Sequence, residues 1–97
     1  MPLKLTNKER LIVDLMQSKD EMYGAEMVRV SNGSLKRGTV YVYLARLEDR
    51  QYVTSRLEER HPKAIGLPRR LYKLTDWTRK QLSYELEEFE QAILFYA

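Results

Sequence analysis

The stretch Gly33-Ser34-Leu35-Lys36-Arg37-Gly38-Thr39-Val40-Tyr41-Val42-Tyr43-Leu44-Ala45-Arg46-Leu47 reads as a short lead-in followed by a helix that is apolar on one side and basic on the other. On a helical period Val40, Leu44 and Leu47 fall together, and Thr39, Tyr43, Arg46 and Arg50 form a second stripe roughly a quarter turn away. The first stripe can anchor the helix in a core while the second stays free to meet a ligand. This pattern predicts a helix from Arg37 to about Gln51 suited to reading nucleic acid.

Upstream, Thr6-Asn7-Lys8-Glu9 has the form of a capping box, in which the threonine hydroxyl and the glutamate carboxylate each satisfy the other residue's backbone N–H. A first helix should start there and run to about Ser18, burying Leu11, Ile12, Leu15 and Met16, before Lys19-Asp20-Glu21 makes a short connection. A second helix is predicted over Tyr23 to Val30, with Met27 and Val30 inward, ending at Ser31-Asn32-Gly33, where Asn32 or Gly33 can turn left-handed. Two short helices joined tightly, the second of them basic, match the helix-turn-helix pattern.

Downstream, Val53 to Glu59 is rich in β-formers, with Val53, Ser55 and Leu57 on one side, and Arg69 to Thr75 repeats the pattern with Tyr72 and Leu74 inward. The intervening Arg60-His61-Pro62-Lys63-Ala64-Ile65-Gly66-Leu67-Pro68 carries two prolines and a glycine and reads as a loop, giving a hairpin wing with a basic tip. Thr75 can cap a last helix whose first turn holds Asp76. In that helix Leu82, Leu86, Phe89, Ile93 and Tyr96 recur at heptad spacing, which predicts a homodimer interface. The expected class is mainly α (α+β): a winged helix-turn-helix over residues 1–75, with a two-stranded β-hairpin wing, and a C-terminal dimerisation helix over residues 76–97.

The composition fits this plan. With 97 residues, 43% apolar content and no cysteine, the chain reads as one small domain of a reducing cytoplasm, with no run of apolar residues suited to a bilayer and no membrane partner. A domain of this size buries only about 60 to 65% of its unfolded surface, so a second subunit would help stabilise it. The net charge of +3 is unevenly placed: residues 1–35 are balanced, residues 36–80 carry twelve basic against five acidic side chains, and residues 81–97 carry four acidic and no basic ones. Charge alone would also suit a set of solvated arginines, but the basic block coincides with the reading helix and wing.

On this reading Tyr43 and Arg46 stand near base edges and Thr39 and Arg50 nearer the DNA backbone, while Arg56, Arg60, Lys63, Arg69 and Arg70 of the wing grip phosphates or straddle a minor groove. Trp77 with Tyr84, Phe89, Phe95 and Tyr96 offers an aromatic cluster for a small-molecule effector, although aromatics at helical spacing are more often core. Catalysis has no support. His61 is the sole histidine, there is no zinc set or Ser-His-Asp arrangement, and the neighbouring members of Glu58-Glu59 and Glu87-Glu88 point apart, so neither an enzyme nor a metal or other cofactor is expected. Two other readings stay open at this level: a module whose third helix or wing binds an acidic protein partner, and a small-molecule sensor.

Tyr23-Gly24, Leu35, Gly38-Thr39-Val40-Tyr41, Leu44, Leu47-Glu48, Val53 and Arg69-Arg70-Leu71-Tyr72-Lys73-Leu74-Thr75 together make the chain resemble the PadR family of bacterial transcriptional regulators over roughly residues 8–82. The resemblance implies a winged helix-turn-helix that dimerises through its last helix and binds a near-palindromic duplex operator, usually as a repressor. It also implies that Tyr41 combines packing with a DNA-backbone contact. Members that release DNA on binding a phenolic or other aromatic compound make such an effector a candidate partner. The chain departs from the family pattern at Lys36-Arg37, which replace a serine and a proline and add positive charge at the entry to the reading helix. It departs again at Val42, where proline is frequent, at Gln51-Tyr52, where glycine is frequent, and near Thr78, where the last helix usually has a glycine.

Overall fold

A computed structural model describes residues 3–96. The first helix, α1 (Asn7–Met16), begins on the predicted capping box: Glu9 N donates to Thr6 Oγ1 at 3.3 Å and Thr6 N donates to Glu9 Oε1 at 2.9 Å. Ile12, Val13 and Met16 are fully inside, with Leu11 and Leu15 packed at the margin of the core.

After the charged connection the chain forms a strand of two residues, β1 (Met22–Tyr23), and then α2 (Gly24–Val30). The buried face of α2 passes through Gly24 and Met27 to Ser31, so Val30 lies off that line and is exposed, which corrects its expected inward position. Ser31 closes the helix in two directions. Its hydroxyl donates to Val28 O at 2.8 Å and accepts from Leu35 N at 2.9 Å. Asn32 and Gly33 then both take left-handed backbone, with φ of 53° and 91°, and reverse the chain into α3 (Arg37–Asp49). Val40, Leu44 and Leu47 are completely buried, as the helical period requires.

At the end of α3 Gln51 is left-handed, with φ 63°, and Tyr52 N donates to Leu47 O at 2.9 Å, turning the chain into β2 (Val53–Leu57). β2 pairs antiparallel with β3 (Arg70–Leu74) from Val53 opposite Leu74 to Leu57 opposite Arg70. β1 adds to the other edge of β3, Met22 opposite Tyr72 and Tyr23 opposite Leu71, so the sheet has order β1-β3-β2. The wing hairpin is therefore joined by a third strand that the sequence pattern did not announce. Val53, Tyr72 and Leu74 are buried as expected, whereas Leu57 is exposed because the hairpin there runs out past the helices.

The last helix, α4 (Asp76–Tyr96), starts on Thr75, whose Oγ1 accepts from Thr78 N at 3.3 Å. Thr78 is wholly buried and its hydroxyl donates to Tyr52 O at 2.9 Å, tying the foot of α4 to the chain between α3 and β2. Beyond this foot only Leu82 joins the core. The remaining turns of α4 project, which gives the molecule extents of 58 × 26 × 22 Å.

Candidate nucleic-acid interface

The reading helix is held by its core stripe and by one ion pair whose acidic member is buried. Glu9 is 2% exposed; one of its carboxylate oxygens serves the capping box and the other receives the Arg50 guanidinium, which also donates to Lys4 O at 2.7 Å and lies 5.1 Å from the Tyr52 ring. Burial alone would raise the Glu9 pKa, but the backbone N–H of Thr6 and the charge and hydrogen bond of Arg50 outweigh it, and the net direction is downward. Arg50 therefore joins α1 to the end of α3. Part of its donor capacity is thus used within the molecule rather than turned wholly outward.

The outward side of α3 is different in kind. Lys36 and Arg37 at its entry, together with Thr39, Tyr41, Val42 and Arg46, are exposed. Among the described residues the side chains of Lys36, Arg37 and Arg46 make no ion pair or hydrogen bond, so these three charges are available to an external anion. Tyr43 is half-buried against the core, which leaves it less outward than the stripe suggested. Tyr41 is placed by Gly24: a Cβ there would lie 2.6 Å from Tyr41 Cε1, so the ring crosses the start of α2 where only glycine leaves room.

The wing arginines serve the wing first. Arg56 holds Glu21 through two bonds of 2.8 and 2.7 Å, and Arg69 donates to Glu58 at 3.1 Å while its guanidinium lies 4.5 Å from the Tyr23 ring. Glu58 is drawn below the usual carboxylate range by the backbone N–H of Arg69, then by that residue's side chain. Arg60 donates to Leu67 O at 2.8 Å and to Ile65 O at 3.0 Å, closing the loop around the left-handed Gly66, and Arg70 donates to Ser55 Oγ at 3.1 Å. Lys63 at the tip is exposed, and its ammonium has no partner among the described residues. Arg56, Arg60, Arg69 and Arg70 thus shape the hairpin; all four are exposed, with part of their donor capacity still facing solvent.

On α4, Leu82 is 8% exposed and belongs to the domain's own core, which corrects its place in the expected interface stripe. Leu86, Phe89, Ile93 and Tyr96 remain open, Phe89 at 63% exposure. The expected aromatic cluster divides. Trp77 stacks on Tyr52, with centroids 5.7 Å apart and planes 9° from parallel, while Phe95 and Tyr96 meet edge to face at the far end of the helix. Tyr52 was not legible as a stacking partner, since it pairs with Trp77 only after the chain has passed through the whole hairpin.

A helix-turn-helix with an exposed basic second helix, followed by a β-hairpin wing, defines a protein of the winged-helix class that includes many DNA-binding regulators. The transcriptional regulator PadR-like family model matches residues 12–84, and the chain belongs to that family. Its fold is similar to that of a PadR family transcription regulator from Clostridium difficile R20291, at 28% identity and TM-score 0.64, with 90% of this chain and 91% of that one covered. It is also similar to smu.1704 from Streptococcus mutans UA159, at 26% identity and TM-score 0.66, covering 97% and 86% of the two chains. Bacillus subtilis PadR in complex with operator DNA shares the fold at 22% identity and TM-score 0.69; 84% of this chain aligns with 47% of that protein. No curated protein matches the sequence. Among the described residues no helix is long and apolar enough to cross a membrane.

Proposed function

We propose that this transcriptional regulator is a sequence-specific double-stranded DNA-binding protein that acts as a homodimer and represses. One observation carries the reading: α3 is anchored by Val40, Leu44 and Leu47 while Lys36, Arg37 and Arg46 on its open side are left without internal partners. Arg46 is the residue best placed to reach a base edge, Lys36 and Arg37 stand where a phosphate would neutralise them, and Thr39 and Tyr41 add neutral donors to the DNA backbone. Tyr43 contributes only its outer edge. In the wing Lys63 is the free phosphate ligand, with Arg56, Arg60, Arg69 and Arg70 as a basic frame behind it.

The exposed stripe Leu86, Phe89, Ile93 and Tyr96 supports self-association through α4. Two copies related by a two-fold axis would present their α3 helices to successive major grooves about 34 Å apart. The repressor role is what the PadR-family resemblance implies, with an occupied operator blocking transcription.

Selection of bound fragments from a random duplex pool, read by gel shift at low and moderate salt, tests this directly. Winners with two-fold symmetry are expected, and no retained duplex at any salt would favour a protein-binding module instead. With a selected site in hand, Arg46→Ala should cost about 1 to 3 kcal/mol on that site and less on random DNA. Lys63→Ala should weaken both alike. Equal losses for Arg46→Ala on the two duplexes would remove its base-reading role.

A further inference from the structure

Three small or apolar residues occupy the line of α3 that points furthest from the core. At about 100° per residue, Gly38, Val42 and Ala45 lie within roughly 50° of the direction opposite Val40, Leu44 and Leu47. All three are exposed, Val42 at 48%. Arg46, one turn after Val42, flanks this line, and Asp49 ends it in the last turn.

The fold itself gives no reason for glycine at position 38. Its φ is not positive, and a Cβ built there would meet nothing within 4 Å. Glycine is among the poorest helix formers, so a helix whose only duty was internal would gain from alanine there. A bare backbone at an outward position is what close approach of an external body requires. Val42 is the complementary feature. A β-branched side chain in a helix is nearly fixed in rotamer, so its two methyl groups project at a defined place between the low relief of Gly38 and Ala45. Valine has no polar atom, and the group in the major groove that it can recognise is the C5-methyl of thymine. Asp49 confines the contact to the first three turns, since its carboxylate opposes a phosphate at the far end of the line.

We propose that Val42, set between Gly38 and Ala45, is a specificity-determining residue that packs against the C5-methyl of one thymine in each half-site, with Gly38 admitting the duplex close enough for that contact. This rests on the DNA-binding reading above. It adds an apolar contact to the arginine contact.

The test uses the full chain and duplexes selected by it from a random pool. Each thymine of a winning site is replaced in turn by deoxyuridine, which lacks only the C5-methyl. At one thymine per half-site the wild-type affinity should fall roughly three- to fivefold, the worth of one buried methyl, and Val42→Ala should bind the thymine and uracil duplexes equally. Gly38→Ala should weaken binding to every duplex roughly 5- to 100-fold, with a melting temperature unchanged or raised, so that lost folding is not the cause. Several results would overturn the proposal: winners with no fixed thymine, a wild type indifferent to all uracil replacements, a uracil penalty that persists in Val42→Ala, or Gly38→Ala binding as wild type. A pool from which the wild type retains nothing overturns instead the DNA-binding reading, and this contact with it.

Discussion

Helices α3 and α4 are built on the same scheme and finish oppositely. α3 buries three large apolar side chains over its length, and what it leaves outside is small, basic or hydroxylated apart from Val42 and, in the last turns, Glu48 and Asp49. α4 is longer but buries only Thr78 and Leu82, and what it leaves outside is Leu86, Phe89, Ile93 and Tyr96 among acidic residues. An anchored helix with free cations is matched to a polyanion, and an unanchored helix with a free apolar stripe is matched to another apolar stripe. Under the proposed function this contrast assigns the two helices different partners, duplex DNA for α3 and a second copy for α4.

The largest break in this contrast should come from α4. Phe89→Glu places a charge in the stripe of each copy and should weaken self-association by roughly 3 to 6 kcal/mol per dimer, two copies of one large side chain. Sedimentation should then give a monomer at micromolar concentration with unchanged helix content. A dimer that persists would mean that the stripe is not the interface.

Within α3 the comparison sharpens to two arginines four residues apart. Arg50→Ala leaves the buried Glu9 carboxylate without its cation and should cost about 1 to 3 kcal/mol in a denaturant titration, whereas Arg46→Ala should change stability by less than about 0.5 kcal/mol. Equal stability losses would show that Arg46 is structural after all. The same pair sets an acid dependence. Because the Glu9 pKa is lowered on folding, its contribution is fully present above the unfolded glutamate value of about 4.3 and is lost as pH falls below it through the folded value. Melting temperature against pH should fall less steeply in that range for Glu9→Gln than for wild type, starting from a lower plateau.

The smallest expected effect lies at the junction between the reading helix and the wing. Gln51 carries a left-handed backbone that glycine adopts without a Cβ clash, so Gln51→Gly should stabilise by about 0.5 kcal/mol. A loss of stability would mean that the Gln51 side chain supports the turn.

Local signals in the sequence were reliable because their physics is local. The Thr6–Glu9 box, the Asn32-Gly33 reversal, the Val40, Leu44 and Leu47 stripe and the Thr75 cap each depend on residues within two turns of one another. What stayed hidden depends on distant partners. β1 is only two residues long and exists because β3 offers an edge fifty residues later. The tie of Arg50 to Glu9 spans 41 residues, which no local period reveals. The place of Thr78 is explained by Tyr52 O, again out of sight of any periodicity. Of the expected interface, the open side of α3 was legible as a stripe. The commitment of the wing arginines to Glu21, Glu58 and the loop carbonyls was not.

In the proposed complex α3 offers a free cationic flank to duplex DNA, with the wing beside it, in two copies. The most direct test is the salt dependence of wild-type affinity for a selected duplex, measured by fluorescence anisotropy. With roughly six to eight phosphates neutralised per dimer, log affinity should fall against log salt with a slope of about −5 to −7. A slope near zero on a duplex that still binds would contradict the account.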